Sequence, residues 1–256
     1  MTRRLPTGFS PLAALIGVIV IGLVMTATPA VAQSFTFDLG GEGGSFTGRI
    51  IQLLVLMTVL TLAPSILVVV TSFTRIVVVL SIIRSALGLQ QTPPNAVLIS
   101  LALFLTAFIM APTFETAYRD GIEPLINDQI DEKQAFERTL APIHEFMMEH
   151  VREKDLALFL NIADAPLPET AADVPLRVLV PSFIISELKR AFEIGFLVFI
   201  PFIIIDMVVA SVLMSMGMMM LPPVMISLPF KLIFFVLVDG WYLIAGSLVQ
   251  SYGIGA

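Results

Sequence analysis

The residue types best suited to chemistry in this sequence are few. His144-Glu145 and Glu149-His150 bracket two methionines, and His-Glu pairs on a helix invite comparison with a zinc hydrolase. That site needs H-E-x-x-H, so that two imidazoles lie one turn apart on one face. Here Met148 holds the position of the second histidine, and His150 comes six residues after His144, about 240° further round a helix. The spacing fails, and the pattern reads as a solvated helix face. The sequence contains no Cys, so it offers no thiolate nucleophile, disulfide or Cys-based metal centre. It has no G-x-S-x-G elbow for an activated serine. No enzyme, cofactor or metal is expected.

A stronger signal is charge placed where charge is expensive. Glu187, Glu193, Asp206, Lys231 and Asp239 lie in or beside long apolar runs. An unpaired charge there is costly, so each must find a partner. Two readings stay open: a proton or ion relay of the kind transporters use, or ion pairs that fix helix or subunit register. The methionines are the third signal. Five of the 13 fall within residues 214–220, ahead of Pro222-Pro223. Methionine commonly fills irregular core gaps. A cluster at a proline-terminated turn also suits a second use: thioethers repeated around a ring would close a pore against water yet rearrange around any passing chain.

The composition sets the elements that must hold these groups. Of 256 residues, 57% are hydrophobic and 13% charged, and the mean hydropathy is +0.96. Soluble domains are about 45–50% apolar and about 25% charged, so a soluble enzyme and a disordered chain are both excluded. A net charge of −6 argues against a nucleic-acid surface. A membrane protein is expected.

Arg3 and Arg4 precede a 14-residue apolar run at 12–25, followed by Ala30-Val31-Ala32. At about 1.5 Å per residue the run is too short for a hydrocarbon core of about 30 Å. The pattern is that of a cleavable secretory signal over residues 1–32, cut between Ala32 and Gln33, with an uncleaved anchor as the alternative. Residues 33–49 form a Gly-rich lead-in. Residues 50–112 hold the first hydrophobic helices, from apolar stretches at 50–70 (kinked at Pro64) and 96–111; the latter, 16 residues long, is short for a span. Residues 113–180 carry 14 acids against 6 Lys/Arg and read as a mostly helical acidic insert, with Ile122, Leu125, Ile126 and Ile130, then Ile143, Met147 and Val151, at helical spacing. Residues 181–256 return to apolar segments at 194–214 and 224–249. With Gln33 outside, Arg75 and Arg84 fall inside, as the positive-inside rule asks. Lys189 and Arg190 fall outside, against it. That conflict suggests hydrophobic helices buried among subunits rather than in lipid throughout.

Several long motifs point to one family. Thr71-Ser72-Phe73-Thr74-Arg75-Ile76 with Gln90-Gln91-Thr92-Pro93-Pro94-Asn95, Arg152-Glu153-Lys154-Asp155, Ser186-Glu187-Leu188-Lys189, Phe199-Ile200-Pro201-Phe202 with Asp206, Gly217-Met218-Met219-Met220-Leu221-Pro222-Pro223, and Leu228-Pro229-Phe230-Lys231 with Asp239-Gly240-Trp241 closely resemble the FliP family of type III secretion export-gate proteins, in its flagellar branch. The resemblance implies an all-α, non-enzymatic pore subunit of the inner membrane. Several copies, thought to be five, would assemble with FliQ and FliR into a helical cone raised toward the periplasm, with FlhB at the entrance and FlhA nearby. Unfolded flagellar subunits would pass through it. It also implies a methionine constriction at Met218, Met219 and Met220 and a charge pair between subunits at Glu187 and Lys231. Glu193, Asp206, Asp239, Arg75, Arg84 and Arg152 would be further buried charges.

Overall fold

The computed structural model describes residues 46–254 except 90, 165, 167, 219 and 220. The signal-cleavage residues Ala32 and Gln33, and the constriction residues Met219 and Met220, lie outside the described residues. The chain divides into two compact units at Leu56/Met57. The described part of the first is the opening of helix α1, Phe46–Val69; the other helices all belong to the second.

Every regular element among the described residues is helical. After α1 come α2 (Phe73–Ala86), α3 (Asn95–Ala117), a π turn (Tyr118–Ile122) and α4 (Glu123–Ile126). The insert continues as α5 (Glu132–His150), α6 (Glu153–Ile162) and a 3-10 turn (Ala171–Asp173). The last three helices are α7 (Leu176–Ser215), α8 (Pro223–Leu237) and α9 (Gly240–Gln250).

The core is built on α2 and α7. Ile76, Val79, Leu80 and Ile83 of α2 and Leu179, Phe183 and Ala191 of α7 are all buried. Large apolar side chains of this kind contribute about 1.5–3 kcal/mol each on full burial. The two helices come close because Gly195 of α7 lies against Ile82; a Cβ at Gly195 would stand 2.5 Å from the Ile82 side chain. In the insert, Asp131 caps α5 by accepting from the Gln134 amide at 2.7 Å, which satisfies one of the orphan donors of the first turn.

Two helical runs are long and apolar enough to cross a membrane: Asn95–Ile126, 32 residues, and Leu176–Ser215, 40 residues. The pair α8 and α9 makes a third if counted as one span bent by 63°. The count among the described residues is thus two or three, against four expected hydrophobic segments. The 96–111 block, expected to be short, is part of a much longer run because the helix continues through Pro112 and the π turn. Of the stripe expected over Ile122 to Ile130, Ile122 and Ile126 are exposed while Leu125 and Ile130 are half-buried, so it packs only in part within the chain, and its helix stops at Ile126. The second stripe does pack, with Met147 fully buried.

At about 1.5 Å per residue α7 is roughly 60 Å long, about twice a hydrocarbon core. Only 11% of its most apolar window is buried within the chain, and 28% for Asn95–Ile126. Most residues of these apolar windows are not buried within the chain.

Candidate functional site: buried charge clusters and a methionine turn

Three charge clusters staple the helices together. The deepest forms where α2, α7, α5 and the turn after α9 meet. Arg75 donates from Nε to Glu187 Oε2 at 2.9 Å and from Nη2 to Glu187 Oε1, a bidentate pair. Arg75 Nη1 donates to the Ser251 carbonyl at 3.2 Å and to Ser251 Oγ at 2.9 Å. The Tyr252 hydroxyl donates to Glu187 Oε2, and the Arg75 guanidinium lies 3.8 Å from the centroid of the Tyr252 ring. Arg75 and Glu187 are wholly buried. A planar guanidinium suits this site because its fork matches a carboxylate while its face stacks on an aromatic ring. His150, expected on a solvated helix face, is buried instead and closes the cluster, its ring 4.9 Å from that of Tyr252 and 4.6 Å from that of Phe146. His150 Nδ1 donates to the Phe146 carbonyl at 2.8 Å. Burial holds the His150 pKa below its ordinary value, and the nearby positive charge of Arg75 pushes the same way. Burial and the Glu187 carboxylate together push Tyr252 far above the usual phenol range.

The second cluster clips the α7–α8 hairpin. Lys231 of α8 donates to Asp206 Oδ2 of α7 at 2.6 Å and to the Ala86 carbonyl at 3.1 Å. Ala86 ends α2, so the ammonium satisfies an orphan carbonyl at a helix C-terminus, where a cation is favoured. Ser227 Oγ donates to the other Asp206 oxygen at 2.5 Å.

The third ties α6 to α7. Arg152 donates to Asp155 at 2.7 and 2.9 Å, and Ser186 Oγ donates to Asp155 Oδ2 at 2.7 Å. Burial pushes the Asp155 carboxyl up, but the hydrogen bonds from Ser186 and Arg152 outweigh it and hold it below the usual range.

The remaining charges are less enclosed. Arg84 donates to Asn95 Oδ1 and to the Pro93 carbonyl at 3.3 Å, fastening the α2–α3 turn. Glu193 pairs with Lys189 at 2.6 Å, both about half exposed, so this is a surface pair and not a buried charge. Asp239 is exposed, not the buried charge expected; it takes a left-handed backbone conformation at the α8–α9 bend, with no capping bond from its side chain.

Within one copy the structure does not bring Glu187 and Lys231 together. Each already has its own partner, Arg75 and Asp206 respectively. A Glu187–Lys231 pair between copies would have to exchange both. Tyr252 and Ser251 were not legible as site residues; the one available signal was a tyrosine just past the last apolar helix.

The methionine turn sits at the tip of the α7–α8 hairpin. Gly217, at φ +76°, ends α7: its amide donates to the Met214 carbonyl at 3.1 Å and that of Met218 to the Leu213 carbonyl at 3.0 Å, the Schellman arrangement. Met218 is 43% exposed. Among the described residues no group of His, Cys, Asp or Glu is arranged to hold a metal ion.

The FliP family model matches residues 56–248, a stretch that holds the Asp206–Lys231 and Arg152–Asp155 clusters, the Arg75–Glu187 pair and the turn. The chain belongs to the FliP family. It is 60% identical over 245 residues to the flagellar biosynthetic protein FliP of Caulobacter vibrioides, covering 95% of this chain and 92% of that protein. It is 61% identical over 202 residues to the protein of the same name from Bacillus subtilis, covering 79% and 91%. The FliP of Pectobacterium carotovorum is 53% identical over 235 residues, covering 91% of each. FliP membership and the apolar helices together make this a membrane protein of flagellar biosynthesis. The alternative reading as a proton-coupled small-solute carrier using Asp206 and Asp239 gains no support: the relatives are flagellar biosynthetic proteins, and Asp206 is engaged by Lys231 and Ser227.

Proposed function

We propose that the chain is the core pore-forming subunit of the flagellar type III export gate, passing unfolded flagellar subunits across the bacterial inner membrane. The observation that carries this reading is the outward apolar surface of α7. A helix about twice as long as a bilayer is thick, with 11% of its most apolar window buried in its own chain, presents a surface that other chains can cover. Several copies, five in the reading carried over from the family, together with FliQ and FliR, supply that cover. FlhB sits at the entrance, FlhA lies nearby, and much of the assembly stands on the periplasmic side. The charge clusters lock each protomer so that its apolar faces are presented in fixed register. No catalytic group is required of it: exported chains are moved by energy supplied elsewhere in the apparatus.

In this arrangement the turn with Met218, Met219 and Met220 from each copy meets at the waist of the channel. Flexible thioethers seal it when empty and yield to a passing chain. The test uses cells whose own gene is replaced. Deletion should abolish release of hook and filament protein into the medium. Met219→Ala with Met220→Ala should restore release but admit small ions. Cells with that double variant as ion-tight as the wild type would remove the seal, and normal export without the chain would remove the function.

A further inference from the structure

Methionines cluster at the tip of the α7–α8 hairpin with a chemistry that sealing alone does not use. In the single protomer Met214, Met216, Met218 and Met225 are between 43% and 66% exposed, whereas Met110 and Met147 are sealed in its own core at 0% and 1%. Their backbone lies at a helix end, a turn and a helix start. No charged residue lies between Asp206 and Lys231, and the sequence has no Cys. Thioether sulfur is therefore the readily oxidised group in this part of the chain.

We propose that Met214, Met216, Met218 and Met225 form a peroxide-sensitive modification site, and that their conversion to methionine sulfoxide loosens the channel seal. A sulfur lone pair attacks one oxygen of hydrogen peroxide, the O–O bond breaks, the sulfoxide S–O bond forms and water leaves. The thioether is oxidised by two electrons and the peroxide is reduced. Each event turns an apolar, deformable side chain into a polar one. A sulfoxide oxygen held in an apolar constriction without a partner is costly, so it draws water in. The site is reversible, because methionine sulfoxide reductases with a thiol reductant remove the oxygen. The inference rests on the reading of this turn as the seal.

The experiment treats the full chain, purified with its partner subunits and reconstituted in liposomes, with hydrogen peroxide. Peptide mass spectrometry reads the sulfoxide at each methionine, and iodide flux reads the leak. At limiting peroxide, the sulfoxide fraction at the four tip methionines should exceed that at Met110 and Met147 by about fivefold or more. Iodide flux should rise about tenfold in parallel and fall back after treatment with both reductases. The companion carries Leu at all four positions, a substitution of similar volume that peroxide does not modify. What is compared is the change on oxidation within each protein, which should fall to less than half in the Leu form, where Met207, Met219 and Met220 are still present. An equal peroxide-induced leak in the Leu form, or sulfoxide at the tip with unchanged flux, would overturn the proposal. The seal itself fails separately, if Met219→Ala with Met220→Ala leaves the untreated channel as tight as the wild type.

Discussion

The Arg75–Glu187 pair shows why single residues matter here. Burying two charges is expensive, and the cost is recovered only when every donor and acceptor is met. Arg75 meets this condition through Glu187, Ser251 and the Tyr252 ring together. Removing one partner, as in Glu187→Ala, should destabilise the protein by about 3–5 kcal/mol, read as a loss of thermal stability in detergent. Two charge swaps separate the arrangement within a copy from a pair between copies. Arg75→Glu with Glu187→Arg should recover part of the loss, whereas Glu187→Lys with Lys231→Glu should recover assembly only if those two residues meet across subunits. The exposed Lys189–Glu193 pair should be removable without measurable effect. His150 gives a pH dependence of definite sign. Its folded pKa lies below the ordinary value near 6.5, so the unfolded chain binds the proton first. Stability is full above about pH 6.5 and falls as the pH drops from there through the folded pKa. His150→Phe should flatten thermal stability across that window, and a profile that still falls as steeply would remove His150 as its source.

Helices were the most legible level, yet their partners and ends were not. Hydropathy marks where apolar residues concentrate, because it reports that a side chain avoids water. It does not report whether lipid, its own chain or another chain supplies the cover. Residues 96–111 looked too short to span because the unbroken apolar run has only 16 residues, but the helix runs on through Pro112 to Ile126. Glu187 and Lys231 were recognisable as charges needing partners. Their partners were not, because Arg75 is 112 positions from Glu187 and Ser251 is 176 from Arg75, and only the fold brings them together. Gly88 marking the end of α2 and Gly217 the end of α7 illustrate the opposite case, where local backbone rules suffice. At this scale the expected outcome is that Gly217→Val strains the positive-φ position and frees the Leu213 and Met214 carbonyls. It should lower stability by about 1–2 kcal/mol and disturb the methionine turn first, read as faster proteolysis at residues 214–222.

The protomer on its own leaves much of α7 and the 95–126 run uncovered, a surface fit for association and not for a solitary life in water. Charge clusters inside, apolar faces outside and a turn at a hairpin tip are the features that the proposed ring-forming subunit requires. The central claim is that association, and it is tested most directly by native mass spectrometry of the tagged protein purified with whatever remains bound. The account predicts a single large species containing several copies of this chain together with smaller membrane subunits. A monomer, stable in detergent with no bound partner and no ring at any concentration, would contradict it.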